Sequence, residues 1–338
     1  MNTEQPMVSV LMITYNHEKY IRQAIEGILN QNVNFTYEFL IHDDASTDNT
    51  AEIIQEYAQK HLDLIHPIYQ SKNQYSQGVD VSKFNRERAR GKYMASCEGD
   101  DYWTDPLKLQ KQIDFLESHP EYIGCAHNVR VINEMGTVLD PATHNYHIFE
   151  EHVFSLKDAE QFKHPGHVAS VVYRNIFLQC GDRVNQLYAD CKANGDTKLP
   201  LILTYYGDIY CLSDIMADHR KIVGGGTSWS SQAHNKNMAG FVYLSTMGVS
   251  KFMNDAFGII LENQELESVL FLLVILRWIV SPTKENRNIF LKVINEKELN
   301  SKLLLLLIRK CLSNPIKVIK TYLNLFMVWY STKSRYTI

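Results

Sequence analysis

Cys97-Glu98-Gly99-Asp100-Asp101-Tyr102-Trp103 directly follows the short apolar run Tyr93-Met94-Ala95-Ser96. A buried strand that ends in neighbouring carboxylates crowds like charges, and one of them is driven towards protonation unless a cation neutralises it. Hard divalent ions such as Mg2+ or Mn2+ take oxygens from one or two carboxylates and complete their shell with substrate phosphates. An isolated Glu-Gly-Asp-Asp fits a solvated acidic turn before the next helix equally well. The rest of the chain separates the two readings.

Upstream, residues 8–13 form a compact, β-branched-rich apolar run that reads as a buried strand and ends in Thr14-Tyr15-Asn16-His17. Tyr20, Ile21, Ala24, Ile25, Ile28 and Leu29 then recur at helical spacing. A second strand, residues 39–41, leads to Asp43-Asp44-Ala45-Ser46-Thr47-Asp48. Asn49 and Glu52 have the spacing of a capping box for a helix carrying Ile53, Ile54, Tyr57 and Ala58. Residues 65–69 read as a third strand and residues 93–97 as a fourth. Asp105-Pro106 predicts a helix start, with Leu109, Ile113 and Leu116 as its buried stripe.

Strands alternating with helices predict an α/β protein with a mostly parallel sheet covered on both faces. Ligands of open sheets of this kind bind beyond the carboxyl ends of the strands. Thr14-Tyr15-Asn16, Asp43-Asp44 and Glu98-Gly99-Asp100-Asp101 all fall at such ends, and their convergence on one edge favours a binding site over three unrelated turns.

The bulk properties fit an ordinary globular protein: 338 residues, 45% hydrophobic and 21% charged, allow one large domain with an appendage or two modest ones. A net charge of -4 argues against nucleic acid as a partner. The six cysteines show no metal-site spacing, the N-terminus lacks a signal-peptide pattern, and no apolar stretch reaches spanning length, so a cytoplasmic location is expected. Charge is uneven: from Lys284 onward eleven Lys/Arg face three Glu, about +8, which leaves about -12 for the rest.

Beyond Ile123 the alternation breaks down. Residues 124–126 and 129–132 read as two strands joined to the turn Asn133-Glu134-Met135-Gly136. His164-Pro165-Gly166-His167 precedes another apolar run, Asn194-Gly195-Asp196 lies in a polar loop, and Gly224-Gly225-Gly226 is a hinge or lid candidate.

The ordered set Val8-Ser9-Val10-Leu11-Met12-Ile13-Thr14-Tyr15-Asn16, Asp43-Asp44-Ala45-Ser46-Thr47-Asp48-Asn49-Thr50 and Gly91-Lys92-Tyr93 running into Glu98-Gly99-Asp100-Asp101-Tyr102-Trp103 resembles the family 2 glycosyltransferases of GT-A fold. These are inverting nucleotide-sugar enzymes of bacterial surface-polysaccharide assembly, such as capsule and lipopolysaccharide. The resemblance covers about residues 1–125 closely and 126–230 more loosely. It implies a Rossmann-like GT-A domain over 1–234 and leaves 235–338 as a helical C-terminal region.

By that resemblance Thr14, Tyr15 and Asn16 line the nucleoside pocket, with Tyr15 stacking on uracil or thymine and Asp43 and Asp44 meeting the pyrimidine ring NH. Asp100 and Asp101 correspond to the end of the family's Asp-x-Asp motif, touching ribose and holding Mn2+ or Mg2+ against the diphosphate, while Glu98 stands where the first Asp is common. Gly195-Asp196 matches the element that carries the catalytic base. Asp218-His219-Arg220 with the glycines that follow resembles a Tyr-Arg-x-His-Gly-Gly segment, which makes Arg220 a diphosphate contact. His167 falls on the acceptor side or is a structural histidine. The implied partners are a UDP- or dTDP-hexose donor and a glycan or lipid-linked acceptor.

A sugar-phosphate nucleotidyltransferase also sets carboxylates over a nucleotide, but it needs a Gly-rich basic loop where this chain has Tyr15-Asn16-His17-Glu18. A non-catalytic scaffold is the third reading. In the C-terminal region, Ile319, Tyr322, Leu323, Phe326, Met327 and Tyr330 form an apolar stripe in a helix opened by Asn314-Pro315, with Lys317 and Lys320 off it. A basic amphipathic helix packs on its own core, forms a homodimer, or lies on an anionic membrane face. With the charge surplus, the last of these predicts peripheral attachment to the inner face of the cell membrane.

Overall fold

The computed structural model describes residues 5–141, 148–161, 163–191, 193, 195–221, 238–261 and 264–296. The chain divides into two compact units, Met1–Ser231 and Gln232–Thr337.

The first unit is built on one nine-stranded sheet. Strands β1 (Val8–Thr14), β2 (Tyr37–Asp43), β3 (Ile65–Tyr69) and β4 (Tyr93–Ser96) run parallel in the order β3-β2-β1-β4. β8 (Val172–Arg174) pairs antiparallel with β4 and with β6 (Tyr122–Ile132), and β9 (Asp208–Arg220) then pairs parallel with β6. The two-residue β5 (Tyr102–Trp103) and β7 (His152–Phe154) pair antiparallel with β9. The sheet is mixed but mostly parallel, as the strand and helix alternation predicts.

Hydrophobic periodicity explains the packing. On α1 (Ile21–Leu29), Ile21, Ala24, Ile25 and Ile28 are wholly buried, against a core that includes Val8, Val10 and Met12 of β1. Ile53 and Ile54 of α2 (Thr50–Lys60) and Leu109, Ile113 and Leu116 of α4 (Lys108–Ser118) join the same core. Each fully buried Ile or Leu contributes about 1.5–3 kcal/mol relative to exposure. A short α3 (Ser82–Arg86) precedes β4, and its Asn85 donates through Nδ2 to the carbonyls of Met12 and Leu40 at 2.8 and 3.1 Å. The remaining helices of this unit are α5 (Leu156–Glu160), α6 (Gly181–Asp190) and α7 (Gly195–Tyr206).

Three local expectations change. The Asn49 side chain makes no capping bond; Asp48 accepts from the Thr50 amide and hydroxyl instead, while Asn49 donates to Glu18. Pro106 lies in a turn held by the bond from the Leu107 amide to Asp105 Oδ1, and α4 begins at Lys108. Residues 122–132 form one strand rather than two. The polar break at His127-Asn128 is absorbed by irregular register with β9, and the Asn128 amide group bonds to the backbone of Phe149 and Ser213.

The second unit contains α8 (Met238–Phe257), α9 (Gln264–Val280) and α10 (Lys284–Glu296), packed through Tyr243, Leu270, Leu273, Val274, Phe290 and Val293. Among the described residues no helix is long and apolar enough to cross a membrane. Gly224-Gly225-Gly226 and the helix expected from Asn314 lie outside the described residues.

Candidate active site

The carboxyl ends of β1 and β2 are tied together by their loops. Asn16 adopts φ 57°, a left-handed conformation that asparagine tolerates better than most residues. This lets its amide donate to Ser46 Oγ at 3.0 Å while its Oδ1 accepts the Thr47 amide at 2.7 Å. Asp43 accepts the amide and hydroxyl of Ser46; burial raises its pKa, and those bonds counteract part of the shift. Asp44 is buried, with its two carboxylate oxygens accepting the amides of Gln74 and Tyr75 at 2.8 and 3.0 Å. Asp44 therefore shapes the loop after β3. Tyr15 is half-buried beside these loops.

The acidic turn after β4 crosses close over the end of β1. Gly99 donates to the Ile13 carbonyl at 3.1 Å, and a Cβ at this position would lie 2.6 Å from Thr14 Oγ1, 2.8 Å from Thr14 Cβ and 2.9 Å from His17 Nδ1. Only glycine permits this approach. Thr14 is buried beneath the turn with its hydroxyl 3.2 Å from His17 Nδ1, and His17 Nε2 lies 3.8 Å from Asp100 Oδ2.

The turn is held from the other side by the last three residues of β9. Asp218 receives the Tyr102 hydroxyl at 2.6 Å and both arms of Arg130 at 2.7 and 2.9 Å. His219 Nδ1 lies 3.2 Å from Asp101 Oδ1. The Arg220 amide donates to Asp101 Oδ1 at 2.7 Å, and its guanidinium bonds the carbonyls of Asp100, Asn133 and Glu134 and Oε1 of Gln23. Arg220 is buried and stacked on Tyr20 at 4.5 Å. Its guanidinium supports the backbone of the acidic turn from behind.

Glu98, Asp100 and Asp101 each offer an oxygen within 4.8 Å of the others, and Asp101, His167 and His219 form a second group within the same limit. Glu98 is exposed at the turn by its surface area. Desolvation by the protein around it, then the charges of Asp100, Asp101 and Asp196, raise its pKa above the ordinary range. Burial likewise raises Asp100, opposed by His17 and aided by Asp101. Asp101 is the exception: burial pushes its pKa up, but His219, His167 and the Arg220 amide outweigh this and bring it below the usual value. His167, 3.6 Å from Asp101 Oδ2, is pushed down to about 4 by burial and by His219, whose ring centroid lies 4.0 Å away.

Asp196 is exposed in the first turn of α7, and its charge acts on Glu98, His167 and His219. The structure therefore gathers Thr14, Asp100, Asp101 and Arg220 at the acidic turn, with Asp196 near enough for its charge to act on Glu98, and with Asn16, Asp43 and Asp44 in the neighbouring loops. Sequence reasoning missed His17 and the contact of His219 with Asp101. A histidine one residue after Tyr15-Asn16, at a strand end opposite the acidic turn, was the available signal for the first.

A mostly parallel sheet whose carboxylate loops meet on one edge is the GT-A architecture. S. aureus TarS (residues 1–349, with UDP-GlcNAc) superposes with a TM-score of 0.53 at 17% identity, over 85% of this chain and 79% of that one. The mannosyltransferase PcManGT of Pyrobaculum calidifontis, with GDP-Man and Mn2+, does so with a TM-score of 0.50 at 14% identity, over 98% and 88%. Residues 9–174 match the family described as Glycosyl transferase family 2, and the chain carries a domain of that family. An uncharacterized Mycobacterium tuberculosis protein is 50% identical over 130 residues, 38% of this chain and 37% of its own length. The putative glycosyltransferase EpsE of Bacillus subtilis is 36% identical over 133 residues, 39% of this chain and 46% of its own. The chain thus matches less than half the length of these relatives.

Proposed function

We propose that this chain is an inverting, metal-dependent glycosyltransferase that moves a hexose from a UDP- or dTDP-sugar to a glycan or lipid-linked acceptor of a surface polysaccharide. The observation that carries this reading is the Glu98, Asp100 and Asp101 cluster at the mouth of the sheet edge, faced by Asp196. The family match and a fold shared with proteins that bind UDP-GlcNAc and GDP-Man support it.

The residues fit a hard divalent cation, because three crowded carboxyls, two of them with raised pKa values, are what a 2+ charge would relieve. Asp101 and Asp100 would hold Mn2+ or Mg2+, which acts as a Lewis acid for the departing diphosphate when bound. Thr14, Tyr15 and Asn16, with the loops shaped by Asp43 and Asp44, form the nucleoside side. Arg220 keeps the Asp100 backbone and the Asp101 carboxylate in place. Asp196 accepts the proton of the acceptor hydroxyl as that oxygen attacks from the face opposite the leaving group, which inverts the anomeric carbon. A solvent-exposed carboxylate at the start of a helix suits a base that must meet a mobile acceptor. The basic surplus after Lys284 supports a membrane-surface location, where lipid-linked acceptors reside.

Transfer and donor hydrolysis measured across UDP-, dTDP- and GDP-sugars, for the native chain and for Asp196→Asn, test the reading. Turnover of one UDP- or dTDP-sugar that is lost in Asp196→Asn, with nucleotide binding intact, is expected. Nucleotide triphosphate turnover with a sugar phosphate would instead identify a nucleotidyltransferase.

A further inference from the structure

The structure contains a buried ion-pair cluster that the proposed reaction does not use. Lys198, in the second turn of α7, is 2% exposed. Its ammonium meets Asp80 Oδ2 at 3.1 Å, the Tyr188 carbonyl at 2.8 Å and the Cys191 carbonyl at 3.1 Å, and sits 4.2 Å from the centroid of the Tyr188 ring. Asp80 also receives the Ser82 amide and hydroxyl through Oδ1, and Arg86 lies 3.6 Å from Oδ2 while stacking on Tyr188 and Phe177. Burying an ammonium is costly unless oxygen partners surround it, so a lysine here is an expensive way to fill space.

The place of this lysine gives it a purpose. It stands two residues after Asp196 on the same helix, and its ammonium ties that helix both to the end of α6 and to Asp80 at the start of α3. α3 is in turn fixed to the backbone of β1 at Met12 and of β2 at Leu40 through Asn85. The loop that leads into α3 is held at Gln74 and Tyr75 by Asp44. A chain of bonds therefore runs from the strand ends that carry the nucleoside loops to the helix that carries Asp196. Among the described residues the exposed Asp196 carboxylate makes no hydrogen bond or ion pair, so its aim depends on the helix beneath it.

We propose that Lys198, through Asp80, is a positioning residue that sets the first turn of α7 and with it the carboxylate of Asp196 relative to the bound donor. This rests on the reading of Asp196 as the base. Misplacing a catalytic group by about 1 Å costs on the order of a hundredfold in rate, so the effect should appear in turnover rather than in donor affinity.

Lys198→Met, assayed at saturating donor and acceptor, should lose at least about tenfold in kcat while UDP–Mn2+ affinity by calorimetry stays within about twofold. Asp80→Asn, which leaves the ammonium its two carbonyl partners, should show a milder loss of the same kind and serves where Lys198→Met does not fold. Adding Lys198→Met to Asp196→Asn should cost nothing further, since the group being positioned is already gone. An unchanged kcat in a folded variant, a matching loss of UDP affinity, or a full additional loss on the Asp196→Asn background would overturn the proposal. An impaired Asp196→Asn beside a fully active Lys198→Met removes the positioning role alone, whereas a fully active Asp196→Asn removes the base assignment on which it rests.

Discussion

The amide of Arg220 donates to Oδ1 of Asp101 at 2.7 Å, so a residue 119 positions away fixes the most buried carboxylate of the acidic turn. The same three-residue stretch of β9 binds Tyr102 through Asp218 and faces Asp101 with His219. The geometry of the turn is thus imposed by β9 and does not arise from the turn alone.

Asp218→Ala removes the shared acceptor of Tyr102 and Arg130 and should loosen β5 from β9. Because Arg130 is 42% exposed, the ion pair is partly screened, and a loss of about 1–3 kcal/mol is expected from the buried phenol and carboxylate bonds. Urea unfolding checks the stability, and Mn2+-dependent nucleotide binding should weaken alongside it.

Gly99→Ala should be more damaging than its single methyl suggests. The added Cβ meets Thr14 and His17 at under 3 Å, so the turn must lift away from β1. Overpacking of this kind costs about 1–3 kcal/mol, and the displaced carboxylates should lose metal-dependent nucleotide affinity even where the fold survives. Thermal unfolding together with nucleotide titration separates the two effects.

Lys108 gives a pH prediction away from the carboxylates. Its ammonium is wholly buried behind the turn, 2.8 Å from Gln112 Oε1 and 4.1 Å from the Trp103 ring centroid, and burial depresses its pKa from 10.5 to about 7. Between those values the unfolded lysine holds a proton that the native one lacks, so its contribution to stability rises with pH across that window. Lys108→Met should therefore be stabilised relative to the native chain most at and below pH 7, and this gap should shrink as pH approaches 10. Urea unfolding of both chains at about pH 7 and pH 9.5 reads the difference; a gap that does not change would place the charge elsewhere.

Much of the first four strands was legible because each β-strand is a short apolar run and each run stops at a polar cluster. Val8, Val10 and Met12, with the Ile21, Ile25 and Ile28 stripe, need no distant partner to be recognised. What was not legible depends on contacts far apart in sequence. Asp218-His219-Arg220 gave no sign that it would pair with Asp100-Asp101-Tyr102, and nothing in the spacing of Arg220 shows which way its guanidinium points. The two-strand reading of residues 124–132 failed because His127 and Asn128 look like a polar break, although Asn128 finds backbone partners at Phe149 and Ser213 that let the strand continue.

The membrane proposal is tested by charge. Replacing Arg309, Lys310, Lys317 and Lys320 with Gln should reduce co-sedimentation with anionic vesicles at low salt by several-fold, since each basic residue near such a surface contributes about 1 kcal/mol. Unchanged sedimentation would reject the C-terminal region as the attachment site.

The most direct test of the carboxylate cluster is calorimetric titration of UDP into the native chain and Asp101→Asn, each with Mn2+ and with EDTA. The account predicts that UDP binding to the native chain weakens at least about tenfold when EDTA replaces Mn2+, a loss of about 1.4 kcal/mol or more. Asp101→Asn should bind UDP weakly under both conditions while remaining folded. Equal UDP affinity with Mn2+ and EDTA, undiminished in Asp101→Asn, would contradict it.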